Sequence, residues 1–255
     1  MATTRGMRFV PLAAVVIVVA VAGAAIWFGP AAGALGTRGG SPSASASTPA
    51  STPTVPSTPT TEPTQPPLAA CAYGSQPARH AGPDDWQSTL VDTTFGLDPT
   101  YVPPDLVPVS RSGIKGQGLV RSLVIADLQA MNHASRLDGA GIAVNSAYRS
   151  YKDQTTVFDG VAQASGSPYA QKWVASPGHS EHQLGTALDF NGNLDWLQKN
   201  AWKFGFIMSY PPAVSPRLTC YQPETWHFRY FGVALAAQIH ASGLTTREWL
   251  WKNAW

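Results

Sequence analysis

The sequence predicts a domain of the α+β class. Apolar residues recur three and four positions apart in some stretches, which is the helical period, and alternate in others, which is the strand period. The two kinds of stretch are mixed without a repeating strand–helix alternation, which argues against a parallel α/β sheet. Residues 1–68 lack the composition of a packed core, so the class applies to one domain, residues 69–255.

The first half of this domain is predicted to contain an extended segment, two helices and a strand. Residues 97–109 are too rich in proline for a helix or a central strand, so we expect them to wrap the surface. An amphipathic helix is predicted by apolar residues with helical spacing at Val120, Leu123, Val124, Leu128 and Met131. A short strand at 142–144 precedes a second helix over 152–164, which would pack Phe158 and Val161 inward.

Helix start and stop signals organise the second half. Asn193 would cap a helix that ends before Gly205. The C-terminal segment is typical of two helices broken at Gly243. The second of these begins with Thr245 and Glu248 at the spacing of a capping box, in which each side chain bonds the backbone of the other residue.

An uncharged apolar segment at residues 9–28 is long enough to cross a bilayer as a helix. Arg5 and Arg8 precede it, so the positive-inside rule leaves residues 1–8 as a cytoplasmic stub and the remainder outside the cell. We therefore expect a single-pass signal anchor in the cell membrane with an extracytoplasmic domain. Ala32-Gly33-Ala34 offers a small-residue cleavage site, so a cleaved signal and a secreted protein remain the alternative.

Residues 29–68 are predicted to be a disordered linker. Of the 27 residues from 41 to 67, 21 are Ser, Thr or Pro, which cannot bury enough surface to offset the entropy of ordering. A proline-rich chain is stiff and extended, so this one could hold the domain as much as roughly 80 Å from the membrane.

The charge distribution argues against nucleic acid as a partner. The domain beyond the linker carries 14 basic and 14 acidic residues, so it presents no overall positive field. We expect a monomer that meets the membrane through its N-terminal helix.

The chain has two cysteines, Cys71 and Cys220. In an oxidising compartment they could form a disulfide that holds the start of the domain beside Glu224. Two buried free thiols are the alternative, and the spacing favours neither.

Two stretches contain the residue types of a metal centre. In the first, strand alternation turns Leu188 and Phe190 toward the core and leaves Asp189 on the opposite face, with His182 in the loop before it. In the second, His227 and Arg229 share one face of a strand, opposite Trp226, Phe228 and Tyr230. Two histidines and a carboxylate leave the fourth position of a zinc ion open for water.

Glu224 and His179 lie near these candidate ligands. Glu224 precedes His227 by three residues, close enough to act on a water without being a ligand. His179 forms a His-x-x-His pair with His182, but Pro177-Gly178 places it outside the strand of Asp189. We therefore rank it as a group behind the metal or facing the substrate.

Three motifs occur in order along the domain: Ser146-x-Tyr148-Arg149-Ser150 with Gln154, Ser180-Glu181-His182 with Gly185 and Asp189, and Glu224-x-Trp226-His227-Phe228-Arg229-Tyr230. Together they resemble the D-alanyl-D-alanine carboxypeptidase family of VanY type, related to the VanX dipeptidases. The resemblance implies a small antiparallel sheet with flanking helices and a zinc ion in a surface cleft.

The resemblance also implies a role for each matching residue. The Zn²⁺ ligands would be His182, Asp189 and His227, the catalytic base Glu224, and the group that stabilises the transition state Arg149. The substrate-binding candidates, for which turn or helix-cap hydrogen bonding is the alternative, are Ser146, Tyr148, Gln154 and Ser180.

The sequence departs from similar sequences at three positions. Ala147 stands where they have Gly, Thr225 where they have Pro, and Ser209 where they have Arg. None of these changes removes a ligand or the base, but Ser209 leaves the contact made by that arginine without an equivalent.

The implied reaction is zinc-dependent removal of a C-terminal D-alanine from a peptidoglycan stem peptide. The alternatives are an endopeptidase that uses the same site in an open cleft and a wall-binding zinc module without activity. Export and a long linker are compatible with a cell-wall substrate. Whether a penta- or a tetrapeptide stem is cut, and whether the task is remodelling or antibiotic resistance, is left open by the sequence.

Overall fold

The computed structural model of the protein describes residues 66–254. The predicted transmembrane segment and most of the predicted linker lie outside these residues. Within them, no helix is both long and apolar enough to span a bilayer. The strands are β1 Gln76–Pro77, β2 Phe95–Gly96, β3 Leu106–Pro108, β4 Lys115–Gly116, β5 Leu119–Arg121, β6 Ile142–Ser146, β7 Ala187–Gly192, β8 Phe206–Tyr210 and β9 Glu224–Tyr230. The α-helices are α1 Ile125–Leu137, α2 Tyr151–Ser165, α3 Ser167–Trp173, α4 Leu194–Asn200, α5 Pro216–Thr219, α6 Val233–Ser242 and α7 Thr246–Ala254.

A five-stranded sheet in the order β4-β6-β7-β9-β8 forms the centre of the fold. Four of its strands pair antiparallel, as the resemblance implied. The edge strand β4 instead runs parallel to β6, which corrects that expectation. The reason is connectivity, because the chain passes through helix α1 between β4 and β6 and returns in the same direction. Sheet and flanking helices make this a mixed α/β fold.

Helix α1 begins later than predicted. Val120 lies in β5, where it pairs with Val107, and residues Ser122–Val124 form a 3-10 turn before the helix starts. The predicted apolar face is nevertheless buried, with Leu128 and Met131 fully enclosed in the core. A spacing of four residues fits a strand followed by a turn as well as a helix, so the boundary could not be found from periodicity.

Helix α2 lies where it was predicted, but it packs differently. The Ser150 side chain caps it by accepting a hydrogen bond from the Asp153 backbone N–H. Phe158 and Val161 are only half-buried, and the residue that α2 buries is Gln154. The expectation of an inward-facing apolar stripe was therefore wrong, because this helix covers the edge of the functional site rather than the main core.

The predicted signals in the second half are confirmed. The Asn193 side chain accepts a hydrogen bond from the Trp196 N–H at the start of α4, and Gly205 has a positive φ of 89° after the 3-10 turn Ala201–Phe204. At α7, the Glu248 carboxylate accepts from the Thr245 N–H while the Thr245 hydroxyl accepts from the Glu248 N–H.

Three contacts tie the start of the domain to its C-terminal part. Cys71 and Cys220 form a disulfide, which resolves the alternatives that the sequence left open. The buried Arg247 of α7 donates to the Asp92 carboxylate at 2.6 Å and to the Ala69 carbonyl at 2.8 Å. Residue 220 is thereby held just ahead of β9, the strand that opens with Glu224.

Candidate active site

The three central strands of the sheet place functional residues in one row. Asp189 of β7 is the register partner of Ser146 on one side and of His227 on the other. Ala187 pairs with Arg229 in the same way, so strand alternation turns Asp189, His227 and Arg229 to one face. The pairing of β6 with β7 shifts register beside Ser146, and the pairing of β8 with β9 shifts before Tyr210, which lies opposite Glu224. Such irregularities change the direction in which nearby side chains point and are common beside active sites.

His182 reaches this row from a 3-10 turn, Glu181–Leu184, rather than from a strand. Gly185 ends the turn with a φ of 69°, a conformation that disfavours a side chain. His182 Nε2 lies 3.2 Å from Asp189 Oδ2, and His227 Nδ1 lies 3.1 Å from Asp189 Oδ1. The potential ligand atoms of the three residues all lie within 4.8 Å of one another. The structure thus brings all three predicted ligands together.

Glu181 is a functional residue whose role the sequence reasoning missed. Its Oε2 accepts a hydrogen bond from His227 Nε2 at 2.9 Å, and its Oε1 accepts from Arg229 at 3.0 Å. Burial alone would raise the pKa of Glu181, but the bond from His227 and the charge of Arg229 lower it to about 2. Glu181 therefore remains ionised and accepts the hydrogen on Nε2 of His227, which turns the other ring nitrogen, Nδ1, toward Asp189.

The histidines differ in their protonation tendencies. Burial lowers the pKa of His182, which favours the neutral ring that a metal requires. Burial also opposes a charge on His227, but its hydrogen bonds to Asp189 and Glu181 raise its pKa to about 10. In the metal-free protein His227 is therefore protonated on both ring nitrogens. Its positive charge balances the carboxylates of Asp189 and Glu181, a role that a metal ion would otherwise share.

Glu224 lies beside this cluster, where the sequence predicted the base. Its Oε2 is 3.7 Å from His227 Nδ1, and its side chain is 24% exposed. Desolvation raises the pKa of Glu224 to about 7, against the opposing effect of His227. A carboxyl group with a pKa near neutrality can both accept and return a proton, which suits a general acid–base.

Arg149 lies at the edge of the same cluster. Its guanidinium donates to Gln154 Oε1 at 2.9 Å and to the Ser146 hydroxyl at 3.1 Å. Burial lowers its pKa, while Asp189 and Glu224 favour its charge. Two predicted substrate-binding residues, Ser146 and Gln154, thus orient Arg149 in this structure. Gln154 also donates to the Ala175 carbonyl at 2.6 Å, which fixes the segment before the metal cluster.

Several other predicted residues lie around the site in different roles. Ser180 is buried and precedes the 3-10 turn that carries His182. Tyr148 is half-buried, with its pKa raised by burial. His179 Nδ1 lies 2.7 Å from the Asp92 carbonyl oxygen, a contact that anchors the loop rather than supplying a ligand. Trp226 was grouped with buried Phe228, yet it is 43% exposed because β9 begins beyond the hydrophobic core.

The donor set matches a catalytic metal centre. Two imidazoles and one carboxylate are the ligand types that Zn²⁺ takes in hydrolases, where the fourth position stays open. One ring nitrogen of His227 is held by Glu181, the outer carboxylate–histidine contact that typically orients a metal ligand. Among the described residues the buried Nδ1 of His182 has no hydrogen-bond partner, while Nε2 of the same ring faces Asp189. This donor set, on this sheet, is the kind of centre found in metal-dependent hydrolases.

Comparison with known proteins identifies the family. Residues 117–233 match the family model VanY, described as D-alanyl-D-alanine carboxypeptidase. A D-alanyl-D-alanine carboxypeptidase of Enterococcus faecalis (strain ATCC 700802 / V583) is 38% identical over 141 residues, which are 48% of this chain and 52% of that protein. The Bacillus subtilis (strain 168) protein YodJ is 34% identical over 182 residues, 64% of this chain and 66% of that protein.

Solved structures agree with this assignment. The LD-carboxypeptidase LdcB is 32% identical, with a TM-score of 0.58 over 63% of this chain and 83% of its own. A variant of the vancomycin resistance D,D-pentapeptidase VanY, solved with Zn(II), is 32% identical, with a TM-score of 0.57 over 65% of this chain and 99% of its own. The chain belongs to the VanY family of D-alanyl-D-alanine carboxypeptidases. It spans about half to two thirds of the length of the curated relatives described above.

Proposed function

We propose that this protein is a zinc-dependent carboxypeptidase that removes a C-terminal D-alanine from peptidoglycan stem peptides. The observation that carries the proposal is the position of Glu224, a carboxyl group with a pKa near 7 whose Oε2 lies 3.7 Å from a nitrogen of the His182–Asp189–His227 cluster. A structural metal site needs no such base, whereas a hydrolase does. Family membership supports the same reaction.

His182, Asp189 and His227 would hold the zinc ion. When bound, zinc polarises the scissile carbonyl and lowers the pKa of water toward neutrality. The remaining steps belong to the side chains of this chain.

Glu224 acts on the proton of the attacking water. Its ionised Oε2 accepts that proton as the water adds to the carbonyl carbon of the terminal peptide bond. The protonated Glu224 then donates the proton to the leaving amine of D-alanine, which restores the carboxylate. Because its side chain is 24% exposed, Glu224 is largely shielded from bulk water but can still exchange protons with a bound substrate.

Arg149 stabilises the negative charge that develops on the carbonyl oxygen. Its guanidinium is held by Ser146 and Gln154, so little reorientation is needed when the charge appears. By analogy with the loss of an oxyanion-hole donor, its contribution is about 3 to 4 kcal/mol in the transition state. Ser180 and Tyr148 remain candidates for contacts with the rest of the substrate.

The cellular setting follows from residues 1–68. The apolar stretch 9–28 behind Arg5 and Arg8 supports a single-pass signal anchor, and the Ser/Thr/Pro-rich stretch supports a spacer between membrane and wall. We propose that residues 69–255 act outside the membrane, as a monomer, on the wall.

The test is mass spectrometry of synthetic stem peptides incubated with the zinc-loaded protein, with a chelated sample as control. We expect loss of one alanine from a pentapeptide or a tetrapeptide stem, and the stem that reacts defines the D,D or L,D preference. A cross-linked muropeptide cut in preference to both stems would instead identify an endopeptidase.

Glu224→Ala is the matched variant. It should keep zinc, because Glu224 is not a ligand, and lose hydrolysis. Hydrolysis by purified Glu224→Ala protein at the wild-type rate would contradict the assignment of the base.

A further inference from the structure

Ser209 occupies the position where the sequence departs from the arginine of similar proteins, and it lies inside the site. It is part of β8, and only 1% of its surface is exposed. Its hydroxyl donates to Glu181 Oε2 at 2.6 Å, across 28 residues of sequence. Ser209 thus contacts the carboxylate that lies behind the metal cluster.

Glu181 Oε2 accepts two hydrogen bonds in this arrangement. One comes from Ser209 and the other from His227 Nε2 at 2.9 Å, while Arg229 donates to the other oxygen. The Glu181 side chain is 4% exposed, so water cannot replace a lost partner without a rearrangement. Three donors from β8 and β9 therefore fix the position of this carboxylate.

Fixing the carboxylate also fixes His227. Because Glu181 accepts the hydrogen on Nε2, the ring nitrogen left to exchange its hydrogen for a cation is Nδ1, which faces Asp189. The ring has a second support, because it packs against Tyr210 with ring centroids 4.9 Å apart. Tyr210 directly follows Ser209, so β8 supplies both the hydrogen bond and the packing surface.

We propose that Ser209 is a positioning residue that, through Glu181, holds the His227 ring in its metal-binding orientation, with Nε2–H directed at Glu181 and Nδ1 at the metal site. The Ser209 hydroxyl and the Arg229 guanidinium both donate hydrogen bonds to the Glu181 carboxylate and fix its position. The proposal rests on the proposed zinc centre. It makes Ser209 relevant to metal affinity rather than to substrate preference.

The experiment compares zinc affinity in the wild type, Ser209→Ala, Ser209→Thr and Ser135→Ala, using the full-length protein in competition with a chelator. Ser135 is a matched control, because it is fully buried and, within residues 66–254, its hydroxyl bonds the Asn132 carbonyl of its own helix α1. We expect Ser209→Ala to weaken zinc binding about tenfold, the lower end of the range for losing an outer partner of a metal ligand. Ser209→Thr, which keeps the hydroxyl, should recover most of the affinity, and Ser135→Ala should bind zinc as the wild type does.

A second readout separates positioning from general stability. Proton–nitrogen NMR of the zinc-free protein should show one slowly exchanging Nε2–H signal for His227 in the wild type, because Glu181 accepts that hydrogen, and a shifted or exchange-broadened signal in Ser209→Ala. If Ser209→Ala lowers the melting temperature as Ser135→Ala does, with unchanged zinc affinity and ring signals, Ser209 is merely structural and the inference is overturned. If the wild type itself binds no zinc, the proposed function fails instead.

Discussion

Replacing Glu181 by alanine in the zinc-free protein isolates the energetic role of the carboxylate behind the metal cluster. The Arg229 side chain is 0% exposed, and Glu181 is its carboxylate partner at 3.0 Å. Two backbone carbonyls, of Trp86 and Thr89, also accept from Arg229, but they carry no full charge. Glu181→Ala therefore leaves a buried cation without its counter-charge.

The magnitude follows from the burial of this pair. Breaking a fully buried ion pair by removing one partner costs about 3–5 kcal/mol. For a domain of this size, 1 kcal/mol corresponds to about 2–4 °C in melting temperature, so the Tm should fall by about 6–20 °C. That loss is a large share of the stability of an ordinary domain, about 5–15 kcal/mol.

Thermal unfolding followed by circular dichroism in the presence of a chelator measures this change. Asp98→Ala is the control, because Asp98 is an exposed carboxylate that bonds Thr100 within its own turn, and its Tm should remain close to that of the wild type. The paired variant Glu181→Met with Arg229→Met removes both charges and should recover much of the loss. A fall of less than about 3 °C in Glu181→Ala would refute the reasoning that this ion pair is sealed from water.

Four further outcomes are expected. Burial opposes a charge on His227, but hydrogen bonds to two carboxylates raise its pKa to about 10. Zinc must therefore displace a proton from His227, so the zinc affinity should rise about tenfold per pH unit between pH 7 and 9. An affinity that does not change with pH would contradict this. In the metal-free protein burial raises the pKa of Glu224 to about 7, and a nearby cation would lower it. The activity should therefore be lost as the pH falls through the pKa of Glu224, with the midpoint of the pH profile at or below 7. A midpoint well above 7 would argue against Glu224 as the base. Arg149→Lys cannot keep both side-chain contacts of the guanidinium and should lower kcat about 100- to 1000-fold with little change in KM, whereas a rise in KM alone would assign it to substrate binding. Removing the Cys71–Cys220 disulfide with Cys71→Ser should cost about 2–5 kcal/mol in chemical denaturation, and an unchanged unfolding midpoint would show that the cross-link does not constrain the unfolded chain.

The sequence was informative where a residue's role depends on its immediate neighbours. Alternation along 187–190 and 224–230 placed Asp189 and His227 on the faces they occupy, because side-chain direction in a strand has a period of two. The caps at Asn193 and Thr245 were equally local, since each bonds a backbone N–H three residues away.

The sequence was uninformative where a contact closes a long loop. Glu181 stands between two motif residues and could be noticed, but its partners Ser209 and Arg229 lie 28 and 48 residues further along. One signal was available: alternation turned Arg229 toward the face of His227, and a buried arginine requires a carboxylate. The start of α1 was missed for a related reason, because Val120 pairs with Val107 of another strand.

By itself, the sequence predicted a mixed fold of sheet and helices and the residue types of the candidate metal centre and candidate base, since local periodicity and motif spacing encode them. Only the tertiary structure decided that Asp189 and His227 are register partners, that Glu181 holds His227 from behind, and that β4 joins the sheet in parallel. Those features depend on strand pairing and on contacts between buried charged groups that are far apart in the sequence. Such contacts form because a carboxylate or guanidinium removed from water must be paired, a requirement that acts through space and leaves no periodic mark on the sequence.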